Sequence, residues 1–190
     1  MPLITLMRSL PVMLVLGVLM QSASVSAHPM PTSRVEVRIL EEQWHLQLQL
    51  PTDRLVAALE FAGFLEQPAD SAADSSESAR LSEAVVKDYI VHRVAAHSLI
   101  DPADPWSVHV ESAAPSDMAG YWTAQVVLGP PAHVDQGRVN IEYKVIGQEI
   151  ITHAVDVVLI EDGSRQGLND APEHLTTLRA RRSSITFERE

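Results

Sequence analysis

The sequence has no cysteine and few aromatic residues, with three each of Trp, Tyr and Phe among 190 residues. Without cysteine the chain can form no disulfide, no thiolate nucleophile and no Cys-ligated zinc site. It also lacks the cysteine to which a lipoprotein anchor would be attached. We therefore expect a domain that is held together by its hydrophobic core and has no direct lipid anchor.

Basic residues are scarce as well, since 14 Lys and Arg face 25 Asp and Glu and the net charge is −11. Nucleic acids and anionic membrane surfaces attract Lys and Arg, so we expect neither as a partner. The sequence also lacks a GxSxG motif, a Gly-rich phosphate loop, an HExxH motif and a DxDxDG calcium loop. These absences predict a protein that is not an enzyme.

The first residues have the pattern of a signal peptide. An apolar run, Leu10 to Met20, follows Arg8, and the small residues Val25-Ser26-Ala27 precede His28. We predict a signal peptide over residues 1–27, cleavage between Ala27 and His28, and a periplasmic or extracellular mature protein. Its length of 190 − 27 = 163 residues suits a single domain over residues 28–190.

Alternating apolar and polar residues predict strands in most of the mature chain. Arg34–Leu40 and Trp44–Leu50 alternate around a short polar link and predict a hairpin. Further strands are predicted at 106–111, 121–128, 138–146 and 150–160, with two short ones near Leu178 and Ile185. Because no helices separate the later strands, we predict a mainly β fold, an antiparallel β-sandwich that is Ig-like in character.

Helical spacing occurs in one region, which we predict to be an insertion at about 51–97 between the second and third strands. Its first helix begins at Pro51-Thr52-Asp53 and ends at Gly63. The second is predicted to begin at Ala79, with one face that carries Leu81, Val85, either Tyr89 or Asp88, and His92.

Several short strings give the mature chain a family resemblance. HPMPTSRVEVRI, LQLPTDRL, YKVI and ITHAVDVVLI are similar to the extracytoplasmic N-terminal region of bacterial HupE/UreJ-like membrane proteins, which are predicted nickel or cobalt permeases. In that family a bundle of transmembrane helices follows this region, whereas the printed sequence ends at Glu190. The resemblance therefore implies only an exported accessory domain, with an integral membrane transporter-like protein as its expected partner.

His28 is the first candidate metal ligand. After cleavage it would offer a terminal amine and an imidazole, with ordinary pKa values of about 8 and about 6.5, to one divalent ion. Such nitrogen ligands suit Ni, Co or Cu. Pro29 has no amide proton, so its nitrogen cannot become an anionic ligand, and a second side chain is needed. The alternative interpretation is an extended lead-in whose histidine binds nothing.

His153 is the predicted second ligand. It is in phase with Ile151, Val155 and Val157, so it is expected to point to the apolar face of the strand at 150–160. A buried histidine needs a hydrogen-bond partner or a ligand, and a bond to a backbone carbonyl is the alternative to metal binding.

The remaining histidines have no specific ligand spacing. His92 and His97 are five residues apart in the predicted insertion, and His109 shares a polar strand face with Glu111. His133 lies near Asp135 in a predicted loop.

Three hypotheses remain open. The first is a non-catalytic exported accessory domain that binds Ni, Co or Cu through His28 and His153, and the second is a structural or protein-interaction domain with no ligand. The third, an N-terminal copper oxygenase acting on polysaccharides, is disfavoured because its flat aromatic binding face needs more aromatic residues than this chain has.

Overall fold

The structure is a computed structural model that describes residues 31–40, 43–66, 80–133, 137–160, 173–180 and 182–188. These residues form two helices, α1 (Thr52–Phe61) and α2 (Glu83–Val91), and nine strands. The strands are β1 (Ser33–Leu40), β2 (Gln43–Pro51), β3 (Val94–Ser98), β4 (Ser107–Pro115), β5 (Tyr121–Gly129), β6 (Arg138–Tyr143), β7 (Val155–Leu159), β8 (Glu173–Leu178) and β9 (Ser184–Glu188).

The strands form two sheets. A six-stranded sheet has the order β4-β5-β2-β1-β7-β8, and a three-stranded sheet has the order β3-β6-β9. All pairs are antiparallel except β1 and β7, which run parallel. The predicted mainly β fold, with its helices between the second and third strands, is confirmed. The Ig-like character stays a prediction.

The hairpin of β1 and β2 is the best example of sequence alternation setting the structure. In β2, Trp44, Leu46, Leu48 and Leu50 are all buried, while the residues between them are partly exposed. The register places Val37 opposite Leu46 and Val35 opposite Leu48, so one face of both strands enters the core. The predicted hairpin is therefore confirmed.

The two sheets share one core through large aromatic side chains. The Trp44 ring on β2 lies 4.9 Å from the Phe187 ring on β9, edge to face, and 5.9 Å from the Trp106 ring. Trp106 also donates its backbone N–H to the carbonyl of Ala96 on β3. These contacts join the six-stranded sheet to the three-stranded sheet.

The helices follow their sequence signals in part. After α1, Gly63 has φ = 78°, the left-handed conformation that ends many helices, as predicted. In α2, the Ser82 hydroxyl caps the helix by accepting the Val85 N–H.

The buried face of α2 differs from the predicted one. It consists of Val86, Tyr89 and Ile90, whereas His92 is exposed. Of the predicted stripe, Tyr89 is buried and Leu81 and Val85 are partly buried against the core, so the prediction was wrong only at its His92 end.

Three predicted boundaries also need correction. The end of the predicted insertion is strand β3. The predicted strands at 138–146 and 150–160 are shortened to β6 and β7, because a loop at residues 144–154 lies between them. In this loop the consecutive residues Val145 and Ile146 are both buried, which breaks strand alternation. Ile146 also has φ = 61°, a conformation that a strand does not contain and that is strained for a β-branched residue.

A buried polar cluster, Tyr89–Arg93–Glu149, holds this loop. The Tyr89 hydroxyl donates to Glu149 Oε2 (2.7 Å) and accepts the N–H of Ile146 (2.8 Å). Arg93 donates from Nε and Nη2 to Glu149 Oε1, both at 2.8 Å, and its carbonyl accepts the Lys144 N–H. Burial and the bond to Glu149 raise the pKa of Tyr89, so its hydroxyl keeps the proton that it donates.

We expect Tyr89→Phe to destabilise the protein by about 2 to 3 kcal/mol, because it leaves the buried Ile146 N–H unpaired and weakens the hold on Glu149. Tyr143→Phe is the matched control. The Tyr143 hydroxyl is buried without a hydrogen-bond partner in the described part of the chain, so its removal should be neutral or stabilising by up to about 1 kcal/mol. Urea unfolding of both variants measures the difference, and equal losses would show that the cluster does not hold the loop.

Candidate functional site

His153 lies near the end of the 144–154 loop, just before β7. Its backbone N–H donates to the carbonyl of Ile150 (2.9 Å), and its side chain is only 3% exposed. The predicted burial of His153 is confirmed, but its predicted position inside a strand was wrong. Ile151, two residues earlier, is exposed rather than in phase with it, because the chain turns at residues 151–152 instead of continuing a strand.

Ser33 fixes the His153 ring. The hydroxyl Oγ of Ser33 lies 2.8 Å from Nε2 of His153, and Ser33 is fully buried at the start of β1. The Ser33 N–H also donates to the carbonyl of Ala154 (3.1 Å), so the parallel β1–β7 pairing sets the position of both side chains. Across the described residues no partner is found for Nδ1, and this atom is not among the fully buried unpaired atoms. The ring is therefore anchored through one nitrogen and keeps the other open.

His153 is neutral at ordinary pH. Its burial, and secondarily the positive charge of Arg54, lower its pKa to about 4, while the negative charge of Asp53 opposes them. Arg54 and Asp53 lie in the first turn of α1, with Arg54 Nε 3.4 Å from Asp53 Oδ2. A neutral imidazole can either accept an ion on its lone pair or donate one hydrogen bond.

His153 lines a cavity of about 420 Å³. The cavity lies among the 144–154 loop, the start of β7 and the segment that joins β8 to β9. Its apolar wall includes Tyr143, Ile151, Val155 and Leu178, and Gln148 and Ser183 are among its polar residues. Volumes of this size are ordinary for small-ligand sites.

Two cations also line this cavity. Lys144 Nζ lies 2.9 Å from Glu142 Oε2, so its charge is balanced by a neighbour. Arg179 is exposed, and no ion pair of its guanidinium is found within the described ranges. In a chain of net charge −11, Arg179 is therefore a local positive charge among the residues that line the cavity.

The Ser33–His153 pair does not present a nucleophile. The Ser33 hydroxyl is fully buried, and Ser33 is not part of the described lining of the cavity. A substrate in the cavity would meet the imidazole and not the hydroxyl, so the role of Ser33 is to orient the ring.

The predicted metal ligands are placed only in part. His28 lies outside the described residues, so its predicted pairing with His153 stays a prediction. Within the described ranges no group of three or more His, Asp or Glu side chains is placed to hold a metal ion. From this part of the chain the cavity offers a single nitrogen ligand, His153 Nδ1.

The other described histidines lie apart from this cavity. His92 contacts the carbonyl of Asp88 through Nδ1 (2.7 Å), and His97 lies on β3, so the two are in different elements. His133 Nε2 lies 2.8 Å from Asp104 Oδ2. The predicted neighbour of His133, Asp135, lies outside the described residues.

Sequence reasoning missed Lys144 and Arg179 as parts of the site. They are 35 positions apart in number, and only the packing of the loop against the β8–β9 segment brings them to one cavity. No motif or spacing links them.

Comparison with known proteins adds no relative. No model of a known protein family matches this chain, and a search of curated proteins finds none with significant similarity. The relation to HupE/UreJ-like proteins therefore stays a prediction. Neither helix in the described ranges has the length and hydropathy of a membrane span.

Stability should depend on His153 between its folded pKa of about 4 and its ordinary value of 6.5. In this interval the unfolded chain binds the proton and the folded chain does not, so stability falls as the pH is lowered. From pH 7 to pH 5 we expect this group to cost about 2 kcal/mol.

Urea unfolding at pH 7, 6 and 5 checks this expectation. Between pH 7 and pH 5 the free energy of unfolding of His153→Gln should fall by about 2 kcal/mol less than that of the wild type, since Gln does not titrate. His109→Gln, which changes an exposed histidine on β4, should keep the wild-type slope. An unchanged slope in His153→Gln would show that its imidazole is not buried in the neutral form.

Proposed function

We propose that the mature protein is a non-catalytic, exported accessory domain that binds one divalent transition-metal ion, Ni, Co or Cu, through His153 and His28. Its partner is an integral membrane transporter-like protein of the HupE/UreJ type. The observation that carries the proposal is the state of His153: buried, neutral, anchored at Nε2 and open at Nδ1 beside a cavity.

The Ser33 hydroxyl suits a metal-binding histidine. In the tautomer protonated at Nε2, the ring donates to Ser33 Oγ and keeps its lone pair on Nδ1. Histidine ligands are commonly oriented in this way by a partner on the second nitrogen. Because the pKa of His153 is lowered to about 4, no proton has to leave this ring when an ion binds at neutral pH.

His28 is the proposed second ligand because, after the predicted cleavage, one residue offers both an amine and an imidazole. With His153 they make three nitrogen donors, which suits Ni or Cu better than Ca or Mg.

Calorimetric titration of the mature protein, starting at His28, with Cu(II), Ni(II), Co(II) and Zn(II) tests the proposal. We expect one ion per chain. A version with one extra Gly before His28, which converts the amine to an amide, and His153→Gln should each bind at least about tenfold more weakly, since even outer-shell changes cost about 10- to 100-fold.

His109→Gln is the matched control and should bind as the wild type does. If the unmodified protein binds no ion, the metal proposal is wrong, and the structural or protein-interaction role becomes the working function. Binding that survives both the extra Gly and His153→Gln would place the ion at another site.

A further inference from the structure

The described lining of the cavity suits an anion better than a cation. Two of its residues, Lys144 and Arg179, carry a positive charge, and none of the described lining residues is Asp or Glu. Over the whole chain the balance is the reverse, with 25 acidic residues against 14 basic ones. The cavity therefore has a local charge that favours a negatively charged ligand.

Arg179 supplies the charge that is left after ion pairing. Lys144 is paired with Glu142, whereas Arg179 has no ion pair within the described ranges. The backbone at Arg179 is fixed, because its N–H donates to the carbonyl of Arg182 (3.1 Å) and its carbonyl accepts the Arg182 N–H (2.7 Å). A guanidinium in this setting can hold a carboxylate through two parallel N–H donors.

The apolar wall of the cavity adds a second requirement. Val155 on β7 and Leu178 on β8 are directly opposite each other in the strand register, and both are buried. Ile151, at the rim, is 74% exposed and leaves apolar surface in contact with water. An inorganic anion would leave this surface uncovered, whereas a hydrocarbon chain would remove it from water.

His153 offers the cavity one neutral polar group. Its Nε2 is bonded to the Ser33 hydroxyl, so Nδ1 is the nitrogen left for a ligand. When the hydroxyl donates to Nε2, the ring proton lies on Nδ1, which then donates a hydrogen bond to an acceptor in the cavity. An oxygen of a carboxylate is such an acceptor.

We propose that the metal-free protein binds a small aliphatic carboxylate in this cavity. The guanidinium of Arg179 and Nδ1–H of His153 bind the carboxylate oxygens. The hydrocarbon part packs against Ile151, Val155 and Leu178. This site uses described residues alone and does not rest on the proposed function. It also requires the opposite tautomer of His153, because a metal ion binds the lone pair of Nδ1 and a carboxylate binds its N–H.

The test is a titration of the mature protein with sodium butyrate, followed by NMR at pH 7 and constant ionic strength in buffers freed of metal ions by a chelating resin. Butyrate should shift the ring nitrogen signals of His153 to saturation, with the proton on Nδ1. From acetate to butyrate the affinity should rise by up to about fourfold for each added CH₂ group.

Two further ligands separate the charge from the hydrocarbon. 1-Butanol has the chain without the charge, and inorganic phosphate has the charge without the chain. Each should bind at least about fivefold more weakly than butyrate, since one exposed charge pair alone is worth up to about this factor. Equal affinity for either one would overturn the proposed site.

Arg179→Gln should weaken butyrate binding by about fivefold, because the guanidinium that holds the carboxylate is lost. Arg182→Gln is the matched control. It removes the same charge from an exposed residue outside the described lining and should bind butyrate as the wild type does. Equal losses in the two variants would show a general charge effect and overturn the role of Arg179.

The outcomes distinguish this site from the proposed metal function. If butyrate causes no saturable shift in the wild type, the carboxylate site is wrong and the metal proposal is unaffected. If the calorimetric titrations find no metal binding but butyrate binds as expected, the metal proposal is wrong and the carboxylate site stands.

Discussion

The hydrogen bonds of Tyr89 to Glu149 and Ile146 are the constraint on which the cavity depends. They tie helix α2 to the 144–154 loop, and Arg93 reinforces them from the end of the same helix. His153, Lys144 and the apolar rim residue Ile151 all lie on this loop. The bond from the Ile146 N–H to Tyr89, together with the local bonds that the Ile146 carbonyl accepts from Glu149 and Ile150, holds Ile146 in its strained conformation. A β-branched residue at φ = 61° costs on the order of 1 to 3 kcal/mol.

The helical insertion therefore has a structural role in the site. Helix α2 supplies Tyr89 and Arg93, and helix α1 supplies the Asp53–Arg54 pair whose charges act on His153. Ser33 reaches His153 from β1, because the parallel pairing of β1 with β7 aligns Ser33 with Val155. Three distant parts of the sequence thus set the position and charge of one imidazole.

The sequence predicts those parts of the structure in which local pattern and tertiary packing agree. In β1 and β2 strict alternation fixes both the strands and the buried face, and Gly63 marks the end of α1. In the 144–154 loop, local pattern and tertiary packing disagree. Val145, Ile146 and Ile150 have strand propensity, but hydrogen bonds from residues about 60 positions away override it. The burial of His153 could be predicted from its apolar neighbours, whereas the cations beside it could not, because no local pattern encodes a contact between residues 144 and 179.

The low pKa of His153 reflects an environment that disfavours positive charge at the ring. Burial and Arg54 disfavour a proton on the imidazole, which keeps the ring available as a ligand even in mildly acidic surroundings. The same environment must also disfavour a bare dication, because it cannot distinguish one positive charge from another. The physical chemistry that makes His153 a neutral ligand therefore also weakens its hold on a bare dication.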